Sequence, residues 1–171
     1  MKKLIAVAFA LTMATSAMAA GSIGFEYGSS WFRPKLSPAG AAYDWTAQGQ
    51  TFAINWVLDN DMWVGVYTES LNLNDGFGDT YPWSAQAIQV TKGVVKNVAV
   101  GLNIGTFYES YYGAVGPLAD VFGEVTLLAG NGDKVTGSLK ASVAARWAND
   151  TSAGGDDWSG YTASLIAGLT F

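Results

Sequence analysis

The side chains able to do chemistry in this sequence are few, and two of the most versatile kinds are missing. The 171 residues include no Cys and no His. That excludes a disulfide framework, a thiolate metal site and a Cys nucleophile. It also excludes a Ser-His-Asp triad and imidazole ligation of zinc, copper or haem. Carboxylates and cations remain. Asp120 and Glu124 stand four apart, and Lys140 and Arg146 six apart, with Glu26 and Glu69 earlier in the chain. In an extended strand an even spacing puts side chains on one face. Paired carboxylates on one face can do general acid–base work. The same carboxylates facing cations form an ionic network instead, so the elements that carry them decide the chemistry.

Those elements alternate with period two. In VKNVAVGLNIGTFY (95–108), Val98, Val100, Leu102, Ile104, Thr106 and Tyr108 share one face, and Asn97, Ala99, Gly101, Asn103 and Gly105 the other. This is the signature of a strand with one apolar face. WSGYTASLIAGLTF (158–171) repeats it with Ile166 out of phase, and residues 134–147 repeat it again. Eight strands are predicted, near 22–32, 45–58, 62–71, 83–92, 95–108, 117–128, 134–147 and 158–171. Connections alternate in length. The short ones are Asp59-Asn60-Asp61, Gly93-Val94 and Gly130-Asn131-Gly132-Asp133, all turn chemistries. The long ones, 33–44, 72–82, 109–116 and 148–157, are polar and rich in Gly. Strict alternation places tight turns at one end and loops at the other. The fold class is therefore all-β: an eight-stranded antiparallel up-and-down barrel, whose closure removes exposed edges.

A soluble lipocalin-type barrel and a membrane barrel share this pattern, and charge placement separates them. Charged residues make up 13% of the chain, against about 25% in typical soluble domains. They fall on the faces that carry Gly, Ser, Thr and Asn: Glu26 opposes Phe25 and Tyr27 in phase, Asp120 and Glu124 oppose Val121 and Val125, and Lys140 and Arg146 oppose Leu139 and Val143. An uncharged outside and a small, polar inside describe a wall facing lipid, and each strand exceeds the about 9–11 tilted residues a bilayer requires. Aromatic residues collect near strand ends. Trp31, Trp45, Trp83, Tyr108, Trp147 and Trp158 are expected to form a belt at the loop end, and Phe25, Trp56, Trp63 and Phe171 a second near the turns. Residues 1–19 read as a secretory signal peptide, with Lys2 and Lys3, an apolar stretch from Leu4 to Met13, and the small-x-small site Ala17-Met18-Ala19. The barrel domain is then 20–171. With 14 acidic against 9 basic residues, no nucleic-acid partner is expected.

The final strand YTASLIAGLTF, ending in Phe171, resembles the assembly signal of Gram-negative outer-membrane proteins. With the signal peptide and eight strands, the chain is similar to the small barrels of the OmpA, OmpX and OmpW-like superfamily. That resemblance implies an integral outer-membrane location, contact with outer-membrane lipid and lipopolysaccharide, and a barrel-assembly machinery as partner during biogenesis. It is architectural and implies no activity.

Inside the barrel, register read from the turns sets Glu69 opposite Thr51, Tyr67 opposite Ala53, Trp63 opposite Val57, and Glu124 opposite Lys140, with Asp120 diagonal to Arg146. Eight strands leave room for little but side chains. Glu26, Glu69, Asp120, Glu124, Lys140 and Arg146 are therefore read as a lumen charge network, with a Glu124–Lys140 gate as the alternative. Outside, Arg33 and Lys35 beyond Trp31 are candidates for lipopolysaccharide phosphates. The loops offer Asp75, Asp79, Asp150, Asp156 and Asp157, but without EF-hand spacing, and Tyr111, Tyr112 and Phe77 as a sticky surface. No metal or cofactor is expected. The reading is a membrane anchor and surface-interaction protein acting through four extracellular loops, with protein contact at the loops or the barrel wall left open. The alternative is a small porin-like channel for ions or hydrophobic solutes. A lipid-modifying enzyme ranks last, since His, the usual base, is absent.

Overall fold

A computed structural model describes residues 22–34, 46–58, 61–74, 76–110, 113–130, 135–151 and 157–171. The signal-peptide segment, Lys35, Trp45, Asp75, Tyr111, Tyr112 and Asp156 lie outside the described residues. The period-two segments form β1 (Ile23–Pro34), β2 (Thr46–Leu58), β3 (Met62–Asn74), β4 (Thr80–Val95), β5 (Val98–Glu109), β6 (Val115–Ala129), β7 (Thr136–Ala148) and β8 (Gly160–Thr170). Each pairs antiparallel with its chain neighbour, and β8 returns to β1, so the sheet is a closed barrel. Closure ends in a reciprocal backbone pair: Ile23 donates to the Phe171 carbonyl (3.1 Å) and Phe171 to that of Ile23 (2.9 Å). No backbone edge is left for aggregation along that seam.

Alternation of burial follows alternation of sequence. Val100, Leu102, Ile104, Val121, Val143, Leu165 and Leu169 are exposed on the outer wall, while Thr51, Glu69, Asn103, Asp120 and Arg146 are buried inside. The β2–β3 register has Thr51 opposite Glu69, Ala53 opposite Tyr67 and Val57 opposite Trp63, as the turn implies.

Two connections differ from the reading of the sequence. β4 continues through Gly93 and Val94 to Val95, and the reversal falls at Asn97, which takes φ 66°. Asn tolerates the left-handed region whereas a β-branched Val does not; the irregularity at Gly93/Val95 absorbs the extra residue as a bulge. Between β6 and β7 the pairing departs from a reversal centred on Gly132: Ala129 pairs with Ser138 rather than Val135, and the register then shifts by one between Thr126 and Leu128. Together these set Glu124 opposite Ser142 rather than Lys140, Lys140 opposite Thr126, and Asp120 directly across from Arg146 instead of diagonal to it.

Tight curvature needs close backbone approach at some inward glycines. At Gly105 an added Cβ would sit 1.9 Å from the Gln86 carbonyl oxygen and 2.6 Å from Ala87 Cα. Backbone cannot swing away, so Gly105→Ala should destabilise the barrel by about 3 kcal/mol. Gly123 on β6 meets nothing within 4 Å, and Gly123→Ala should be near neutral. Urea midpoints of the folded, heat-modifiable gel band compare the two; equal midpoints would contradict the close-approach account.

Candidate functional site

The lumen is built in layers. The central layer is centred on Arg146, which β7 projects inward and which is 2% exposed. Its Nε donates to Asp120 Oδ1 (2.8 Å) and its Nη2 to Asp120 Oδ2 (3.0 Å). This is the bidentate fork that a planar guanidinium favours. Its Nη1 reaches across the lumen to Glu69 Oε2 at 2.6 Å. Glu69 Oε1 also accepts from Ser30 Oγ (2.9 Å) and the Tyr67 hydroxyl (2.8 Å). Asp120 Oδ2 further accepts from Asn103 Nδ2 at 3.2 Å. Each carboxylate thus accepts from several donors, which is the condition for burying such a group at tolerable free energy.

A second cluster lies toward the tight turns. Lys140 Nζ donates to Glu26 Oε1 (2.6 Å) and Glu124 Oε1 (3.0 Å), and sits 4.9 Å from the Trp63 ring centroid. The Glu124–Lys140 contact survives the register slip because a Lys side chain spans the diagonal. Below it is a polar concavity of about 470 Å³, bordered by Asp61, Trp63, Thr91, Glu124, Ser138 and Lys140. The six charges therefore form two separate three-residue clusters, not one continuous network.

Toward the loops the lumen is aromatic. Trp83 stacks on Phe107 (4.6 Å between centroids, 12° between planes) and packs against Phe32 (5.2 Å) and Trp158 (6.0 Å). The Phe32 ring lies 4.8 Å from Arg146 Cζ, so this layer rests on the guanidinium. Trp83 and Trp158 were expected in the outer belt; they are 1% and 0% exposed and belong to the core. Trp83 shares the phase of buried Ala85 and Ala87, and Trp158 that of Gly160 and Thr162. Their position near strand ends was read as membrane height, although phase places them inside. Trp63 is likewise inward, against Lys140. Trp56 is buried. Trp31, Tyr108 and Trp147 do stand exposed on the outer wall near the loops, and Phe25 and Phe171 meet edge-on near the turns (6.0 Å).

An outer wall of exposed Val, Leu, Ile and Phe around an ionic interior has only one stable surrounding, the hydrocarbon of a bilayer. The chain is an eight-stranded membrane-spanning β-barrel. Two solved structures are similar in fold. A crystal structure of the outer membrane protein OprG from Pseudomonas aeruginosa matches with a TM-score of 0.45 and 10% identity, over 89% of this chain and 96% of that one. A solid-state NMR structure of outer membrane protein AlkL in DMPC bilayers matches with a TM-score of 0.48 and 11% identity, over 89% of this chain and 90% of that one. No family model and no curated protein sequence matches the chain.

Of the outer residues singled out in the sequence, Arg33 is exposed at the loop end of β1, paired with Tyr161. Asp150 accepts from the Val115 backbone (3.3 Å) and Asp157 from that of Ser159 (2.8 Å), so both order the chain at the rim. Ser30, Tyr67 and Asn103 were not singled out as partners of the charges. Tyr67 and Glu69 two apart on one face were the available signal, whereas Ser30 and Asn103 reach their partners only across the closed lumen.

Proposed function

We propose that this chain is an outer-membrane anchor and surface-interaction protein with a closed lumen, doing no catalytic chemistry of its own and presenting its four long connections outside the cell. The observation that carries the reading is the packing of Trp83, stacked on Phe107, against Phe32, and of Phe32 over the fully paired Arg146. No hydrated path of useful width passes such a stack without breaking buried ion pairs. Every lumen carboxylate of the two clusters is engaged by a cation, which leaves none placed as a general base. Arg33, exposed at the loop end of β1, supplies positive charge for lipopolysaccharide phosphates.

The second reading, a narrow channel, is favoured by one observation: the polar concavity that reaches Glu124 and Lys140 from the turn end. Conductance of the refolded protein in a planar bilayer separates the two. Silence in both the native chain and Glu124→Gln/Lys140→Met is expected. Steady native conductance, shifted by the double variant, would make the protein a channel gated at that cluster.

A further inference from the structure

Outward positions of a membrane barrel should be uniformly apolar, and on half of this one they are not. From β6 to β8 the outward phase carries Val, Leu, Ala, Gly, Pro and the rings of Trp147 and Tyr161. From β1 to β4 a ladder row runs Ser29–Gln50–Ser70–Ser84, and the row beneath it contains Thr68 and Gln86. Ser29, Gln50, Ser70 and Gln86 are exposed on the wall, and Thr68 and Ser84 half-buried.

Their height follows from the register. A row that begins at Ser29 in mid-β1 reaches Val115, the first residue of β6, so rows climb toward the loops from β1 onward. For strands tilted near 40°, two residues along a strand rise about 5 Å and one step along a row rises about 3 Å. Ser29, Gln50, Thr68 and Gln86 then fall within the last ~5 Å of hydrocarbon below the level of Trp31. Lipid tails offer such groups no partner. At the upper end of the strip the wall is indented by a concavity of about 390 Å³ bordered by Trp31, Gln48, Asn72, Asn74 and Thr80.

We propose that this strip is the contact face for a second copy of the same chain within the membrane. Three features select that occupant. The strip contains only amides and hydroxyls, each both donor and acceptor, so it is complementary to itself. Its own residues include no cation: the outward Lys92 of β4 lies near the tight turns, opposite Met62, and the outward Arg33 of β1 lies beyond Trp31 toward the loops. A phosphate-bearing headgroup therefore finds no counter-charge at the depth of Ser29, Gln50, Thr68 and Gln86. Finally, every copy inserts with the same polarity, so a two-fold axis along the membrane normal sets strip against strip at equal height. Uncharged polar side chains hydrogen-bonding across the contact are a known adhesive between membrane segments, and the indentation leaves room for side chains of the facing copy.

The absence of Cys makes the test direct. Ser70→Cys on the strip and Val143→Cys on β7, the strand diametrically across the closed barrel from β3, are refolded separately into vesicles at low protein-to-lipid ratio and treated with a short bis-maleimide. Ser70→Cys should yield a band of twice the mass and Val143→Cys should stay monomeric. Adding Gln50→Leu and Gln86→Leu to Ser70→Cys should weaken dimer formation by about tenfold. The heat-modifiable gel shift reports folding of each variant independently, so loss of dimer is distinguished from loss of the barrel. Equal cross-linking at both positions means random encounter and overturns the proposal. So does a monomeric Ser70→Cys whose thiol is shielded from maleimide only when lipopolysaccharide is present, since the strip would then face sugar headgroups.

Discussion

Arg146→Met should be the most damaging single change in the lumen, lowering stability by about 3–5 kcal/mol. The substitution is close to isosteric, so packing changes little, but it strips the cation from Glu69 and Asp120. Both carboxylates are almost fully buried, and each loses a short charge-assisted bond. Ser30, Tyr67 and Asn103 still donate, yet neutral donors do not offset two like charges facing each other in a dry lumen. Adding Glu69→Gln and Asp120→Asn to Arg146→Met removes the uncompensated charge and should restore most of the loss. Lys140→Met is the informative contrast. Glu124 borders the polar concavity, where water can hydrate the carboxylate once the cation is gone, so the loss should be clearly smaller. Urea titration in detergent micelles, read by the fraction of heat-modifiable band, ranks the variants. Arg146→Met and Lys140→Met with equal midpoints would remove the distinction between a sealed and a hydrated cluster.

Trp83→Ala should destabilise the barrel by about 3–5 kcal/mol, the range for emptying a large buried aromatic site. Trp83 is the centre of its layer, touching Phe32, Phe107 and Trp158. Strand backbones fixed in a closed ladder cannot collapse into the space. The void would sit directly above Phe32, the ring that covers the Arg146 guanidinium, so water gains a route to the central cluster from the loop side. Trp147→Ala, on the outer wall and 52% exposed, removes a similar ring but leaves no internal cavity and should cost far less. If the two substitutions shifted the urea midpoint equally, the aromatic layer would not be the internal seal described above.

The proposed closed lumen rests on these two layers together. An ionic layer alone would attract water, and an aromatic layer alone would leave the charges below it unsatisfied from above. Stacked, the rings exclude solvent while the guanidinium satisfies the carboxylates beneath, and the polar concavity stays confined to the turn end. On the proposed reading, function then moves outward, to the loops and to the wall. On the wall, the polar strip of β1–β4 is the feature that a lipid-facing role by itself does not account for.

How much of this was legible in the sequence depends on the range of the interaction. Period-two alternation identified the eight strands, their inward and outward faces, the closed meander and the inward placement of all six charges, because side-chain phase in a strand is a local property. Register around the β2–β3 turn was equally local, and Glu69 with Tyr67 stands where the turn puts it. Phase also held the correct position of Trp83 and Trp158, but proximity to strand ends was weighed above it. The β6–β7 register was not readable: Gly130-Asn131-Gly132-Asp133 offers more than one turn centre, and the shift at Thr126/Leu128 leaves no mark in an apolar run such as VTLLA. The sequence brought Glu124 to Lys140 and Asp120 to Arg146, which one turn joins, but it could not supply the partners that complete each cluster. Lys140 meets Glu26 across 114 residues and Arg146 meets Glu69 across 77. Those partners face one another only because the sheet closes, and the diameter at which it closes is set by all eight strands together. The sequence by itself determined which side chains enter the lumen; the closed tertiary structure decided which of them meet.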